Sequence, residues 1–360
     1  MTELSVALSM LTLVPGGMGG SETYARALTR HLNGVEDVSA IAVVPAGAAG
    51  FSEAIPERVV TQVRGGSSTR DRLVTVATAT LQARTIRLQT ADSDVVHFPF
   101  TVPVPRPDRH QGFVQSLHDV QHLDLPGLFS RSELAYRRHF YQGAAKRADV
   151  VITISEFAKG RIVELLGIPE ERIRVAYLGV DTTAFVPNFG ERESFVLYPA
   201  RGWAHKNHAR LVEAMAVVRT SIPGIRLVLT GASLDALGPL PAWVDRPGLV
   251  SAEKLRSLYR SAAAIAFPSL YEGFGLPPLE AMASGCPAAV STAGSLPEVC
   301  GGAAILFDPL DVGAIAAGIE IAIANRASLS EAGVIHAARF TWEACRDVHL
   351  SAYSQALQSV

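Results

Sequence analysis

The stretch YEGFGLPPLEAMASGCPAAVSTAGSLPE, Tyr271 to Glu298, joins a glycine-bearing turn to a short helix and sets two carboxylates around the junction. Gly273 and Gly275 leave the turn free of Cβ atoms, so the amides around Phe274 and Leu276 can approach an anion closely. Pro277 and Pro278 suit a first helical turn, where a missing N–H costs least, and LEAMASG carries the helix to a stop at Gly285. The positive end of that helix faces the turn. On one helix Glu272 and Glu280 would stand about 80° out of register, so the turn rather than a helix face has to bring them together. A carboxylate in the first helical turn can accept from both hydroxyls of a ribose, and one in the loop can hold hydroxyls of a second sugar. The plainer alternative is that Glu280 complements the helix dipole and Glu272 is solvated.

Outward from this stretch, short β-branched runs alternate with longer amphipathic segments, the pattern of parallel sheets covered by helices. Strands are predicted at Leu4–Leu11, Val38–Val44, Val59–Val63, Val95–Phe98, Phe113–Leu117, Val150–Ile154 and Ile173–Tyr177. Helices are predicted between them at Ser21–Leu32, Ser68–Ala91, Ser132–Ala148 and Glu156–Leu166. The polar, proline-bearing segment VDTTAFVPNFGERE, Val180–Glu193, reads as a linker. The pattern then restarts, with strands at Ser194–Pro199, Ile225–Thr230, Ala264–Pro268, Ala288–Ser291 and Ala304–Phe307. Helices are predicted there at Asn207–Ser221, Ala252–Ser261, Pro277–Ser284 and Val312–Asn325, and a last one at Thr341–Leu357. The expectation is an α/β chain of two Rossmann-like, doubly wound domains, 1–185 and 186–340, with strand C-termini facing across a cleft.

Arg201 and Lys206 sit in ARGWAHKNHARL, directly after the first strand of the second half. On a helix they would diverge by about 140°, but across a strand–loop–helix junction both can point to one place. Two cations there would neutralise charge building on a departing diphosphate, the role a metal plays elsewhere; the alternative is a solvated pair. Gly16, Gly17, Gly19 and Gly20 follow the first strand and precede a helix with Ser21 as its cap and Glu22 behind it. Such a turn meets phosphate or sugar, but equally starts a dinucleotide-binding domain. Against the latter, the second strand closes on Val43, Val44 and Pro45 with no acidic residue. His118 ends the run GFVQSL; on the residues alone it reads as structural. His97 either lines the cleft or caps a strand. Asp92-Ser93-Asp94 has the spacing of a metal-binding DxD but precedes its strand and has no further hard ligands nearby, so Asp94 reads as a strand-entry residue.

The two glutamates at this spacing, their EGFGLPPLEAMASG context and the later GSLPE resemble the signature of the retaining glycosyltransferases of family 4, which have the GT-B fold, and the resemblance extends along most of the chain. It implies a metal-independent hexosyltransferase using a nucleotide-sugar, GDP- or UDP-linked, as substrate and no cofactor. Arg201 and Lys206 match the family's basic pair on the diphosphate, His118 its donor-sugar histidine, and Glu272 and Glu280 its sugar and ribose carboxylates. Gly17, Gly19 and Gly20, with Gly273, Phe274, Gly275 and Leu276, would assist through their amides. The resemblance also implies that the last helix, 341–360, packs back on the first domain. Mannosyl- or rhamnosyltransferase-like bacterial members, and thus polysaccharide biosynthesis, are the nearest in flavour.

The 360 residues are 48% hydrophobic, enough for two cores, and the formal charge is −2 at pH 7. Acidic and basic residues are spread through both halves, which argues against a nucleic-acid binder. Cys286, Cys300 and Cys345 have neither disulfide nor metal-finger spacing and read as reduced, buried thiols of a cytoplasmic protein. MTELSVALSMLTLVP reads as a buried strand, not a leader, and no run reaches about 18 apolar residues. Segment 131–147 interleaves Arg131, Arg137, Arg138, Lys146 and Arg147 with Leu134, Tyr136, Phe140 and Tyr141. It is either a surface helix with a buried stripe or a peripheral membrane contact. Two rivals remain open at this point: a nucleotide-sugar epimerase, which would act without acceptor, and a sugar-nucleotide-binding module without catalysis.

Overall fold

The computed structural model describes residues 3–66 and 69–359, with Ser68, at the head of one expected helix, outside them. The chain divides into two compact units, Met1–Ile154 with Ala158–Tyr177 and Trp342–Val360, and Ser155–Phe157 with Leu178–Thr341.

The first unit holds seven strands: β1 (Leu4–Ser9), β2 (Val38–Pro45), β3 (Glu57–Val60), β4 (Val95–Phe98), β5 (Gly112–Ser116), β6 (Val150–Thr153) and β7 (Ile173–Val175). They pair in the order β3-β2-β1-β4-β5-β6-β7, all parallel. VVHF and VVIT are buried at every position, because a parallel sheet covered on both faces has no polar side to show. The order reverses between β1 and β4, and the crevice beyond their carboxyl ends is where such sheets receive ligands. The glycine-rich loop after β1 and the residues after β4 therefore meet there.

The second unit repeats the plan with β8 (Glu193–Pro199), β9 (Arg226–Thr230), β10 (Val244–Gly248), β11 (Ala262–Phe267), β12 (Ala288–Ser291) and β13 (Ile305–Phe307). Their order is β10-β9-β8-β11-β12-β13, again parallel, with the reversal between β8 and β11. The two loops leaving that point carry Arg201 with Lys206, and Glu272 with the glycine turn.

The helix Trp342–Leu357 packs in the first unit, burying Trp342, Cys345, His349, Ala352, Tyr353 and Ala356. Its approach to β5 needs Gly112, where a Cβ would stand 3.1 Å from the Cβ of Ala356. Beneath it runs a fully buried polar chain. His97 joins the Tyr353 hydroxyl (2.9 Å) and Ser116 Oγ (2.8 Å), and the Tyr24 hydroxyl joins Ser116 Oγ (2.8 Å) and His349 Nε2 (2.6 Å). His97 thus neither lines a cleft nor caps a strand; it ties two strands to the last helix, and burial pushes its pKa well down.

Several expected elements are corrected. The long helix of 68–91 is two, Thr69–Leu81 and Ala83–Arg87, and 132–148 is Arg131–Arg137, a π-turn Arg138–Gln142 and Gly143–Ala145. The N-cap of Gly20–Leu32 is Gly19 at φ 56°, not Ser21, which lies inside the helix. β10, VDRPG, has no β-branched run to announce it and survives because an edge strand tolerates proline. All three cysteines are free and buried, their thiols pushed up to about 12 by burial. Arg58 holds Asp92 in two 2.6 Å contacts, and Asp94 accepts from the Ser5 amide (2.8 Å) and hydroxyl (2.6 Å), so the DxD is structural.

Arg192 anchors the second unit. Its guanidinium donates to the carbonyls of Asn188, Tyr259, Ala262 and Gly285, the last at the end of the Leu276–Ala283 helix, where a cation complements the helix dipole. Arg192→Met should lower stability by at least about 2 kcal/mol, since several part-buried carbonyls lose their donor; denaturant unfolding with an unchanged midpoint would refute this.

Candidate active site

The loop after β8 is built to hold one lysine. A 3₁₀ turn, Ala204–Lys206, is stopped by Asn207 in the left-handed region (φ 61°), which asparagine tolerates better than most residues. The Asn207 side-chain amide donates to the carbonyls of Pro268 (3.1 Å) and Pro309 (2.8 Å). The Tyr198 hydroxyl donates to the Lys206 carbonyl at 2.7 Å, and the Leu270 amide to the His205 carbonyl at 2.7 Å. With its backbone fixed, Lys206 extends Nζ to Glu272 Oε1 at 2.5 Å, 5.6 Å from the Phe267 ring centroid. Both side chains of this ion pair are only 14% and 13% exposed.

Glu272 is fixed from the other side. Its carbonyl accepts from the Ser295 amide (3.2 Å) and hydroxyl (3.1 Å). Gly294, at φ 66°, lies so close that a Cβ would come within 2.6 Å of that carbonyl. Ser295 Oγ also donates to the Phe274 carbonyl at 2.6 Å. Gly275 precedes the helix Leu276–Ala283 at φ 116°, and a Cβ there would meet Leu296 at 2.7 Å. The turn Gly273–Leu276 therefore brings its own backbone amides to the head of the helix, where Pro277 and Pro278 have no N–H and the Leu279 amide returns to the Gly275 carbonyl (3.5 Å).

Glu280 lies on that helix and accepts from the Tyr259 hydroxyl at 2.9 Å. Burial raises its pKa to about 7, against the Tyr259 bond that lowers it. It is paired separately from Glu272; the two carboxylates answer to different partners. Arg201 stands on the same loop as Lys206, its guanidinium 5.3 Å from the Trp203 ring centroid. Within this unit Glu298 accepts from the amides of Glu156 (2.7 Å) and Phe157 (2.9 Å), so the last residue of GSLPE is engaged by backbone.

His118, Gly17, Gly19 and Gly20 belong to the first unit. His118 Nδ1 lies 3.3 Å from Ser21 Oγ, and its ring stands edge-on to Tyr24. Its Nε2 is buried with no hydrogen-bond partner among the described residues. Burial and the neighbouring His349 push its pKa down to about 4, so it is neutral at pH 7. The glycine loop closes through Glu22, which accepts from the Gly16 amide at 2.8 Å and pairs with Arg26 at 3.2 Å. Ser21, Tyr259, Asn207, Gly294 and Ser295 position these groups and were not singled out as doing so from sequence. Of them Asn207 alone carried a local signal, an asparagine directly before a helix. Among the described residues no three His, Cys, Asp or Glu side chains gather as a metal site.

Residues 18–184 match the family model described as Glycosyltransferase Family 4, and residues 180–336 that described as Glycosyl transferases group 1. The chain is 29% identical to O-antigen chain mannosyltransferase B of Escherichia coli, over 69% of this chain and 71% of that protein. It is 30% identical to the MMP alpha-(1->4)-mannosyltransferase of Mycolicibacterium hassiacum, over 60% of this chain and 56% of the relative, so the match spans little more than half of the latter. Among solved structures, Anabaena HepE in complex with UDP-glucose superposes with a TM-score of 0.71 at 19% identity, covering 99% of this chain and 100% of that one. The fold is GT-B.

The raised pKa of Glu280 has a signed consequence. The folded state holds this proton where the unfolded chain has released it, so Glu280 lowers stability as pH rises from about 4.5 to about 7. Buried neutral histidines such as His349, with pKa pushed down to about 4, act the other way, losing stability as pH falls below 6.5. The difference between wild type and Glu280→Gln isolates the carboxyl: the stability advantage of the glutamine variant should grow through pH 4.5 to 7. A difference independent of pH would contradict it.

Proposed function

We propose, from the premise that this chain belongs to the family 4 glycosyltransferases, that it moves a hexose or deoxyhexose from a nucleoside diphosphate to an acceptor hydroxyl with retention of configuration and without a metal. The Lys206–Glu272 ion pair carries this reading. A lysine held on a rigid loop beside the glycine turn at a helix N-terminus offers fixed positive charge where a leaving diphosphate accumulates negative charge. Arg201, on the same loop, supplies the second cation. Glu272 orients Lys206 and accepts from hydroxyls of the donor sugar.

Glu280 binds the ribose. Two hydroxyl donors favour its ionised form, so nucleotide binding lowers its pKa and releases a proton near neutrality. His118, neutral with an unpaired buried Nε2, has the capacity to contact a sugar hydroxyl. The acceptor oxygen forms its bond to the anomeric carbon on the face from which the diphosphate departs. The bond from that carbon to the phosphate oxygen breaks, and the leaving phosphate takes the acceptor's proton. GDP- and UDP-sugars are the donor candidates. Mannosyl relatives and the UDP-glucose complex of HepE support this class without choosing between them.

Lys206→Ala should lower turnover by on the order of 100-fold or more, and a nearly unchanged kcat would reject its role. Nucleoside diphosphate affinity, measured by calorimetry, should weaken as pH falls below about 7 and should lose that dependence in Glu280→Gln. A wild type whose binding takes up or releases no proton near pH 7 would reject the ribose assignment.

A further inference from the structure

The first unit contains a cavity of about 680 Å³ to which none of the roles above refers. Arg87, Arg106, Arg109 and Arg147 line it, with Asp108 as the one carboxylate. Asp108 lies 3.5 Å from Arg87, whose Nε also donates to the Arg106 carbonyl at 2.8 Å. The side chains of Arg106, Arg109 and Arg147 make no hydrogen bond or ion pair among the described residues. All three are exposed to solvent, and slight desolvation followed by the charge of Arg106 disfavours the protonated form of Arg147. Val104 and Ala144, both buried, form part of an apolar wall.

Four cations on a concavity with one carboxylate, itself paired to Arg87, repel one another, and an anion relieves the repulsion. Guanidinium forks match phosphate oxygens in pairs, which lysines do not. The size lies within the range of small-molecule sites. We propose that this cavity binds a phosphate-bearing group, a phosphomonoester or diphosphate carried by a soluble molecule or a lipid headgroup, held by Arg106, Arg109 and Arg147. The apolar wall packs against whatever bears the phosphate. Arg147, at the end of segment 131–147, then does more than solvate a surface helix, since it lines a site shared with the loop Pro103–Arg109.

The test titrates inorganic pyrophosphate at constant ionic strength into wild type, Arg106→Gln/Arg147→Gln and Lys206→Ala, with cosedimentation on vesicles of phosphatidic acid with phosphatidylcholine or of phosphatidylcholine alone. The double variant should lose about tenfold or more in affinity, from two charge-assisted contacts; Lys206→Ala should keep the component that the double variant loses. Loss of pyrophosphate binding identifies a soluble phosphate. Arginine-dependent sedimentation with phosphatidic acid vesicles, without pyrophosphate binding, identifies a lipid headgroup. Equal binding of both probes by wild type and double variant, or binding of neither, overturns the proposal. If the double variant fails to show a melting transition, the single exposed change Arg106→Gln carries the same comparison.

Discussion

The second unit is organised around an ion pair that its backbone does not allow to move. Lys206 and Glu272 meet at 2.5 Å with side chains almost withdrawn from water. Such a pair gains little net stability, because desolvation offsets most of the attraction, and removing one partner leaves a costly lone charge. Its presence is better understood as positioning. Tyr198, Asn207 and the Leu270 amide fix the lysine's loop, while Ser295 and the tight approach of Gly294 fix the glutamate's turn. A cation locked in advance needs no rearrangement when negative charge appears beside it.

Sheet topology delivers these groups to one place. Residues of the β8 and β11 loops are far apart in sequence yet leave adjacent strands where the strand order reverses. Glycines make the final approach possible: Gly275 leaves room for Leu296, and Gly294 for the Glu272 backbone. The first unit uses the same plan with another interior, a buried chain of Tyr24, Ser116, His97, His349 and Tyr353 that fastens the last helix to the sheet. Every member of that chain has a partner, which is the condition under which buried polar groups specify a structure rather than weaken it.

Much of this was legible in the chain. The strands VVHF and AAVS fall where their apolar runs place them, as Val95–Phe98 and Ala288–Ser291, because a covered parallel strand has no choice of face. Lys206 and Glu272 were each legible as candidate site residues on loops of the second half, but their direct pairing was not, because it depends on the strand order β8-β11. What supports them was not legible. Tyr259 reaches Glu280 from a different helix, and no local pattern marks a tyrosine whose hydroxyl will meet a carboxylate. The edge strand VDRPG escaped notice because its pairing with β9 comes from tertiary context, against its own propensity. Ser21 looked like a helix cap, but Gly19, at a positive φ of 56°, takes that place and the helix begins at Gly20.

The fixed cation is tested most directly by the rate of sugar transfer from GDP- and UDP-sugars with excess chelator present. Undiminished turnover is the predicted result, since in the proposed reaction Lys206, fixed by Glu272, neutralises the charge on the departing diphosphate. Turnover abolished by chelator and restored by magnesium or manganese would contradict it.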